Sequence, residues 1–195
     1  MTAFRKTQVA LTSKAAPFAI RAERAADVAT REALLDASFG ENRHDRTCQR
    51  LRDGRAPAAG LALAAVREGT LVGTVRLWHV SAGGRPALVL GPLAVDPACR
   101  ELGIGAALMQ QALAAARARG HSAVILLGDA PYYARFGFSA EKTGALTLPG
   151  PFERDRLLAI EFTDRALDGA EGMIVPTGAA LPKRRVVRAL QAQAA

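Results

Sequence analysis

The chain has 195 residues, of which 50% are apolar and 23% charged, and its 26 Lys+Arg against 18 Asp+Glu give a formal net charge of +8. This composition excludes a disordered or collagen-like chain and predicts one globular domain with a sizeable core. No stretch approaches the roughly 18 consecutive apolar residues of a membrane span, and the start of the chain lacks the apolar segment of a signal peptide. We therefore expect a cytoplasmic protein.

The first half of the chain predicts a strand, a helix and then a polar segment. Residues 1–15 have no clear period and predict a loose N-terminus, and PFAIRAE predicts a short strand. A helix follows in which Val28, Leu34, Leu35 and Phe39 share an apolar face before Gly40 ends it. Residues 41–56 are polar and arginine-rich and predict a short helix and a solvated loop.

An antiparallel meander is predicted next, because the apolar period changes to two. LALAAVREGTLVGTVRLWHV predicts two strands joined by a hairpin at Glu68-Gly69. ALVLGPLAV predicts a third strand after a turn at Gly83-Gly84. Gly91-Pro92 interrupts this strand, and since proline cannot donate to a ladder, we expect pairing to fail on one side there.

A strand–helix–strand unit is predicted after the meander. GIGAALMQQALAAARARG has an apolar helix face of Leu108, Met109, Leu113 and Ala116, and Gly120 ends it. SAVILLG is the continuous apolar run of a strand buried on both faces. This strand and the one that precedes the helix should therefore be parallel. A short helix at PYYARFGF, a strand near ALTLPG and a last strand in RLLAIEFT follow.

The segment LGPLAVDPACRELGIGAALM predicts an anion site. Gly103-Ile104-Gly105 opens the long helix, where backbone N–H groups bind phosphates and glycine lets the oxygens approach; Arg100 adds charge. A Walker A loop is excluded, since its lysine and hydroxyl are missing. A dinucleotide fingerprint also fails, because Leu108 stands where a small residue is required and an antiparallel meander precedes the unit.

Two motifs in this order resemble the GCN5-related N-acetyltransferase (GNAT) superfamily. The first is Arg100-x-x-Gly103-x-Gly105 at the start of a helix; the second is Tyr133-x-x-Phe136-Gly137-Phe138 after the next strand. The strings LVGTVRLW, LGPLAV and LLGDxxYYxRFGF further resemble a bacterial subgroup, the YhbS-like predicted acetyltransferases. The resemblance covers about residues 16–165. It implies an α/β fold, a single GNAT-type domain whose mixed, mostly antiparallel central sheet is splayed between two parallel strands and flanked by helices.

The resemblance also implies the site residues. Acetyl-CoA would be the acetyl donor, and no metal is expected. Its pyrophosphate would be held by the loop amides, which map onto Arg100, Glu101, Leu102, Gly103, Ile104, Gly105 and Ala106. Its pantetheine arm would lie along Leu93, Ala94 and Val95. Tyr133 would be the general acid for the leaving thiolate, because a phenol with pKa about 10 stays protonated at neutral pH. The alternative role for Tyr133 is structural, as an aromatic ring that packs the short helix against the sheet. Tyr132 would be core or pocket wall.

The general base is left open. Many relatives carry a glutamate on the strand equivalent to VLGPLAV, and this strand has no acid. Water-mediated deprotonation or a neutral incoming amine is one alternative, and Asp129 and His79 are others, although Asp129 could only cap a turn and His79 could only be a surface residue. Cys48 and Cys99 are expected to be free, incidental thiols. His44 and His121 have no metal-ligand spacing with them.

The resulting interpretation has three segments: a loose N-terminus (1–15), an N-acetyltransferase domain (16–165) and a basic C-terminal extension (166–195). The expected function is direct transfer of an acetyl group to an amine of a small-molecule or peptide acceptor in a ternary complex. A non-catalytic acyl-CoA-binding or sensing module is the alternative, and a nucleotide or nucleic-acid binder is a third. No membrane or nucleic-acid partner is favoured, and a homodimer is left open.

The basic run from Arg43 to Arg55 allows two interpretations. It could receive an acidic group, such as the 3′-phosphate of CoA, an acidic substrate or RNA, or it could be a solvated helix face. No aromatic residues are interleaved for base stacking.

Overall fold

The computed structural model describes residues 17–182; the predicted N-terminal segment 1–15 and the basic run from Lys183 to Arg188 lie outside the described residues. In chain order the strands and helices are β1 (Ala19–Ala22), α1 (Val28–Phe39), β2 (Ala62–Arg67), β3 (Thr70–Ala82), β4 (Arg85–Val95), α2 (Ile104–Ala118), β5 (Ala123–Leu127), α3 (Ala130–Ala134), β6 (Leu146–Thr147), β7 (Leu157–Glu161) and β8 (Gly172–Pro176). Short 3-10 helices include Glu41–Asp45, Thr47–Leu51 and Pro97–Leu102. Within residues 17–182, no helix has the length and apolar character to cross a membrane.

The sheet is mixed and mostly antiparallel, in the order β1-β2-β3-β4-β5-β7. Strands β1 to β4 form an antiparallel meander, β4 and β5 are parallel, and β5 and β7 are antiparallel. Strand β8 pairs antiparallel with the end of β3 and parallel with β6. This arrangement confirms the predicted fold class.

Both predicted hairpins form at their glycine-containing turns. Glu68 and Gly69 have φ of 50° and 80°, and Gly83 and Gly84 have φ of 53° and 85°. Two successive residues with positive φ are what a tight turn needs to match the twist of its strands. The residue types at these turns therefore fix where the meander reverses.

Helices α1 and α2 cover opposite faces of the sheet. Leu63 and Ala65 of β2 pack in the core cluster that contains α2, whereas Ala64 packs with α1, as the alternation of side chains along a strand requires. Helix α2 buries its predicted apolar face. It lies so close to β3 that a Cβ on Gly73 would come within 2.9 Å of Ile104 Cγ2.

Strands β4 and β5 diverge after two paired residues. Leu88 aligns with Val124 and Val89 with Ile125, and the parallel pairing ends there. On its other side β4 shifts register against β3 across Gly91-Pro92, between the pairs Leu77–Leu90 and Val75–Leu93. The predicted interruption at Gly91-Pro92 thus coincides with a bulge and with the point where the sheet splays.

Three expectations about elements are wrong. RLLAIEFT is not the last strand, because GMIVP forms β8, a five-residue run too short to stand out by periodicity. Val28 is 43% exposed and does not share the buried face of Leu34 and Leu35, since it begins α1. Residues 41–51 form two 3-10 helices, and Arg43 is buried because Glu32 and Asp36 of α1 pair with its guanidinium.

Candidate active site at the splayed strands

The part of β4 that follows Val89 is not paired with β5, and it turns some of its backbone groups toward the gap between these two strands. Asp96 N–H donates to the Val72 carbonyl at 2.9 Å, which makes this a hydrogen-bonded pair. Because such pairs alternate along an antiparallel ladder, Ala94 also bonds to β3, whereas Leu93 and Val95 direct their N–H and C=O groups away from it. The three predicted residues of β4 therefore differ: Leu93 and Val95 offer backbone groups to the gap, whereas the backbone of Ala94 pairs with β3 and its side chain is buried in the cluster that contains Leu34 and Leu35 of α1.

The loop from β4 to α2 ends in a set of uncapped backbone amides. The Asp96 carboxylate accepts the Ala98 N–H at 2.9 Å and so begins the 3-10 turn Pro97–Leu102. Gly103 then takes a left-handed conformation, φ 74°, and within the described chain no side chain caps the start of α2. The first N–H groups of a helix have no intrahelical acceptor, so those of Gly103 to Ala106 are available to an anion.

The side chains of this loop divide between the core and the surface. Leu102 and Ile104 pack into the core and anchor the loop, whereas Arg100 and Glu101 are exposed. Arg100 forms no ion pair with any residue in 17–182. A Cβ placed on Gly103 would meet nothing within 4 Å. An open cradle of amides beside an unpaired arginine fits a pyrophosphate.

A cavity of about 880 Å³ lies at the mouth of the gap. The C-terminal end of α1, the 3-10 segments 41–51, the bulged part of β4, the end of β5, α3 and residues 151–156 form its wall. Leu93, Tyr132 and Tyr133 all line it. The Tyr132 hydroxyl also lies 3.4 Å from the position of a Cβ on Gly105, so this side chain joins the cavity wall to the amide cradle.

Tyr133 is held in this wall by α3 and by its aromatic neighbours. Asp129 caps α3, because its carboxylate accepts the Tyr132 N–H at 3.2 Å. The Tyr133 ring packs edge-on against Tyr132 and Phe138, at 4.9 and 6.0 Å between centroids. Burial raises the pKa of Tyr133 to about 12. The Tyr133 hydroxyl therefore stays protonated throughout the neutral pH range.

Gly128, which is not among the predicted site residues, supports the Tyr133 ring. A Cβ at Gly128 would lie 2.2 Å from Tyr133 Cε2 and 2.7 Å from Cδ2. Real atoms do not approach so closely, so only glycine lets the ring rest on the backbone at the end of β5. The available signal was a glycine that ends the apolar run SAVILLG, five positions before the tyrosine.

The two candidate bases occupy different places. Asp129 lines the large cavity but is engaged as the cap of α3. His79 lines a separate cavity of about 130 Å³, where its ring faces His121 at 5.2 Å between centroids. His79 is therefore not among the groups around Tyr133. The carboxylates that border the large cavity are Asp45, Asp129 and Glu153.

The cysteines show no nucleophilic arrangement. Cys99 is buried in the main core, and Cys48 lies half-buried in the cavity wall, where burial raises the pKa of its thiol. A raised pKa keeps Cys48 in the unreactive thiol form. Among residues 17–182, no group of His, Cys, Asp and Glu side chains is arranged to hold a metal ion.

Comparison with known proteins gives concordant results. The sequence profile described as the Acetyltransferase (GNAT) family matches residues 28–138. The chain is 31% identical over 157 residues to the uncharacterized N-acetyltransferase YhbS of Escherichia coli K12, covering 80% of this chain and 93% of that protein.

Two solved structures resemble the fold along most of their length. The crystal structure of the E. coli GNAT family N-acetyltransferase YhbS in complex with CoA matches with a TM-score of 0.72 and 29% identity, over 85% of this chain and 93% of that one. A GNAT family acetyltransferase from Brucella melitensis in complex with acetyl-CoA matches with a TM-score of 0.59 and 26% identity, over 85% and 96%.

Proposed function

This chain belongs to the acetyltransferase (GNAT) family, and from that premise we propose that it transfers an acetyl group from acetyl-CoA directly to an amine while both substrates are bound. Membership confirms the resemblance expected from the two motifs, and the enzyme is an acetyl-CoA-dependent N-acetyltransferase. The observation that carries the proposal is that the splayed end of β4 leads into the amide cradle of α2 and that the bulged part of the same strand lines the cavity containing Tyr133.

Donor binding is assigned to the cradle and to β4. The amides of Gly103, Ile104, Gly105 and Ala106, with Arg100 at the mouth of the loop, would hold the pyrophosphate; Glu101 and Leu102 complete this loop. The backbone groups of Leu93 and Val95 that face the gap would pair with the pantetheine amides, as an added strand would. Ala94 would act only by keeping β4 on β3. Two structural relatives were solved with CoA or acetyl-CoA, which supports this assignment.

The chemistry assigns one proton to Tyr133. Acetyl-CoA, when bound, supplies an acetyl group activated as a thioester. A backbone N–H of the free part of β4 would polarise its carbonyl while the acceptor nitrogen forms a bond to carbon and the carbon–sulfur bond breaks. The Tyr133 hydroxyl donates its proton to the departing sulfur and recovers one from solvent. The amine proton would leave through solvent, because β4 provides no acid and Asp129 is engaged as the cap of α3.

A transfer assay tests the proposed function. A panel of amines and peptides is incubated with acetyl-CoA, and products are identified by mass spectrometry. We expect an N-acetylated product, initial-rate lines that intersect, as a ternary complex requires, and no acetylated enzyme. Acetyl-CoA binding without transfer to any acceptor would instead identify an acyl-CoA-binding module.

Substituting Gly103 by leucine is expected to weaken CoA binding about tenfold, because the side chain covers amides that the anion must approach. Isothermal calorimetry with CoA measures the change. Gly120→Leu is a matched control: Gly120 at the other end of α2 also has positive φ, 77° against 74°, and open space around its Cβ position. Both variants should lose similar stability from the strained backbone, about 1–2 kcal/mol. Equal CoA affinity in the two variants would contradict the cradle assignment.

A further inference from the structure

Arg52 holds an unpaired guanidinium in the wall of the large cavity. The side chain is mostly buried, and its Nε donates to the Cys48 carbonyl at 3.0 Å. Among residues 17–182, neither Nη group has a hydrogen-bond acceptor, and no carboxylate lies within 4.0 Å of the guanidinium. The four N–H groups of its terminal nitrogens are therefore unpaired at the wall of this cavity.

The other arginines of the run 43–55 are engaged in holding the structure together. Arg43 is buried between Glu32 and Asp36; Arg46 stacks on Phe39 and donates to its carbonyl; Arg50 and Arg55 donate to the carbonyls of Pro149 and Gly178. The basic run is therefore neither a uniformly solvated face nor a uniform anion receptor. Arg52 differs from its neighbours in having no structural partner for its terminal nitrogens.

The surroundings of Arg52 favour an anion. Burial lowers the pKa of its guanidinium, and the charges of Arg43 and Arg46 act in the same direction. Asp53 and the thiol of Cys48 oppose this shift, but the Asp53 carboxylate is already hydrogen-bonded to Gln49 at 2.7 Å. A partly desolvated cation without a partner destabilises the folded state, and an oxyanion entering the cavity would reduce that penalty.

Arg52 lies close to the part of β4 that is assigned to the bound acetyl donor. Its Nη1 lies 3.8 Å from the position of a Cβ on Gly91, the residue at which β4 bulges, two positions after its pairing with β5 ends at Val89. The Gly91 carbonyl accepts the Trp78 indole N–H at 2.6 Å and receives no hydrogen bond from Arg52. An anion bound by Arg52 would therefore lie beside the strand segment that leads to Leu93.

We propose that the acceptor is a small amine that also carries an oxyanion, a carboxylate or a phosphate, and that Arg52 binds this group and thereby aligns the amine with the thioester. The inference rests on the proposed function, because it assigns the substrate class of the same site. The fork of the guanidinium matches the two oxygens of either anion. The cavity has a volume of about 880 Å³ and is lined by residues from several helices, strands and loops, which suits a small molecule.

Matched acceptor pairs test this assignment. One arm compares 4-aminobutanoate with its amide, and the other compares 2-aminoethyl phosphate with 2-aminoethanol; homologues of two to six carbons extend both arms. We expect kcat/KM to favour the anionic member by about tenfold in at least one arm, which also identifies the anion. In Arg52→Gln the preference should disappear through a higher KM for the anionic acceptor, with the KM for acetyl-CoA unchanged. Arg52→Lys should recover part of it.

A structural role for Arg52 makes the opposite forecast for stability. Arg52→Gln removes a desolvated charge that has no carboxylate partner, so Tm should stay the same or rise, whereas loss of a structural arginine would lower it. Arg117→Gln, at an exposed position of α2, is the control and should keep the preference.

The outcomes separate the inference from the function it rests on. Three results would overturn the inference and leave the acetyltransferase function intact. They are equal kcat/KM for both members of each pair, equally efficient transfer to a neutral peptide amine, and an unchanged preference for the anionic acceptor in Arg52→Gln. Transfer to no acceptor, with CoA still bound, contradicts the proposed function and the inference together.

Discussion

Tyr133→Phe is expected to lower kcat about 100-fold or more while leaving the affinity for acetyl-CoA unchanged. The substitution removes one hydroxyl and keeps the ring that packs against Tyr132 and Phe138. General acid catalysis contributes about 10²–10⁴-fold, so loss of the only proton carried by this side chain should appear in kcat. Steady-state kinetics and calorimetry with CoA measure the two quantities. Tyr132→Phe is the paired variant, whose kcat should change far less.

The pH dependence gives an independent readout of the same assignment. Because burial raises the pKa of Tyr133 to about 12, the phenol remains protonated well above neutral pH. The rate of the wild-type enzyme should therefore rise as the acceptor amine loses its proton and should show no decline from Tyr133 until the pH nears 12. Wild-type turnover in Tyr133→Phe across the accessible pH range would reject the phenol as the acid.

Elements whose signal is local could be predicted from sequence. The hairpins at Glu68-Gly69 and Gly83-Gly84 follow from residues that accept positive φ, and α2 follows from its period and from the glycines at both ends. Strand β8 could not, because it is stabilised by pairing with β3 and β6, which are distant in the chain. A five-residue segment has too little periodicity to reveal partners so far away.

The site divides in the same way. Motif residues such as Gly103 and Tyr133 lie in short segments with fixed spacing, so their chemistry can be proposed from sequence alone. Arg43 and Arg52 occur in one polar run and are indistinguishable there. In the structure Arg43 is paired with two carboxylates of α1, whereas the terminal nitrogens of Arg52 are unpaired at the cavity wall. Which arginine meets which element depends on tertiary packing, so no local pattern could separate them.

The contact between Gly128 and Tyr133 also arises from packing. Gly128 directly follows β5 and has an ordinary backbone conformation, so glycine is not required there by φ. What requires it is the Tyr133 ring, whose Cε2 atom would lie 2.2 Å from any added Cβ. Leu126 Cδ1 at 3.0 Å leaves little room for the ring or the methyl group to move apart. Gly128 is therefore a positioning residue, which acts through the place of the phenol.

Gly128→Ala is accordingly expected to lower kcat between about 10- and 100-fold, because a displaced phenol no longer meets the departing sulfur and misplacement by about 1 Å can cost 100-fold. The KM for acetyl-CoA should change little. Gly144→Ala is the matched control: Gly144 has an ordinary φ and nothing within 4 Å of its Cβ position, so the variant should keep full activity and be at least as stable.

The double variant Gly128→Ala/Tyr133→Phe decides between positioning and general damage. If Gly128 acts through the phenol, adding Gly128→Ala to Tyr133→Phe should lower kcat little further, since the group it misplaces is already absent. Multiplicative losses in kcat, or a lower acetyl-CoA affinity in Gly128→Ala alone, would show that the methyl group disturbs the end of β5 itself. Because β5 ends where the sheet splays, that result would move the cause of the rate loss from the acid to the cavity wall.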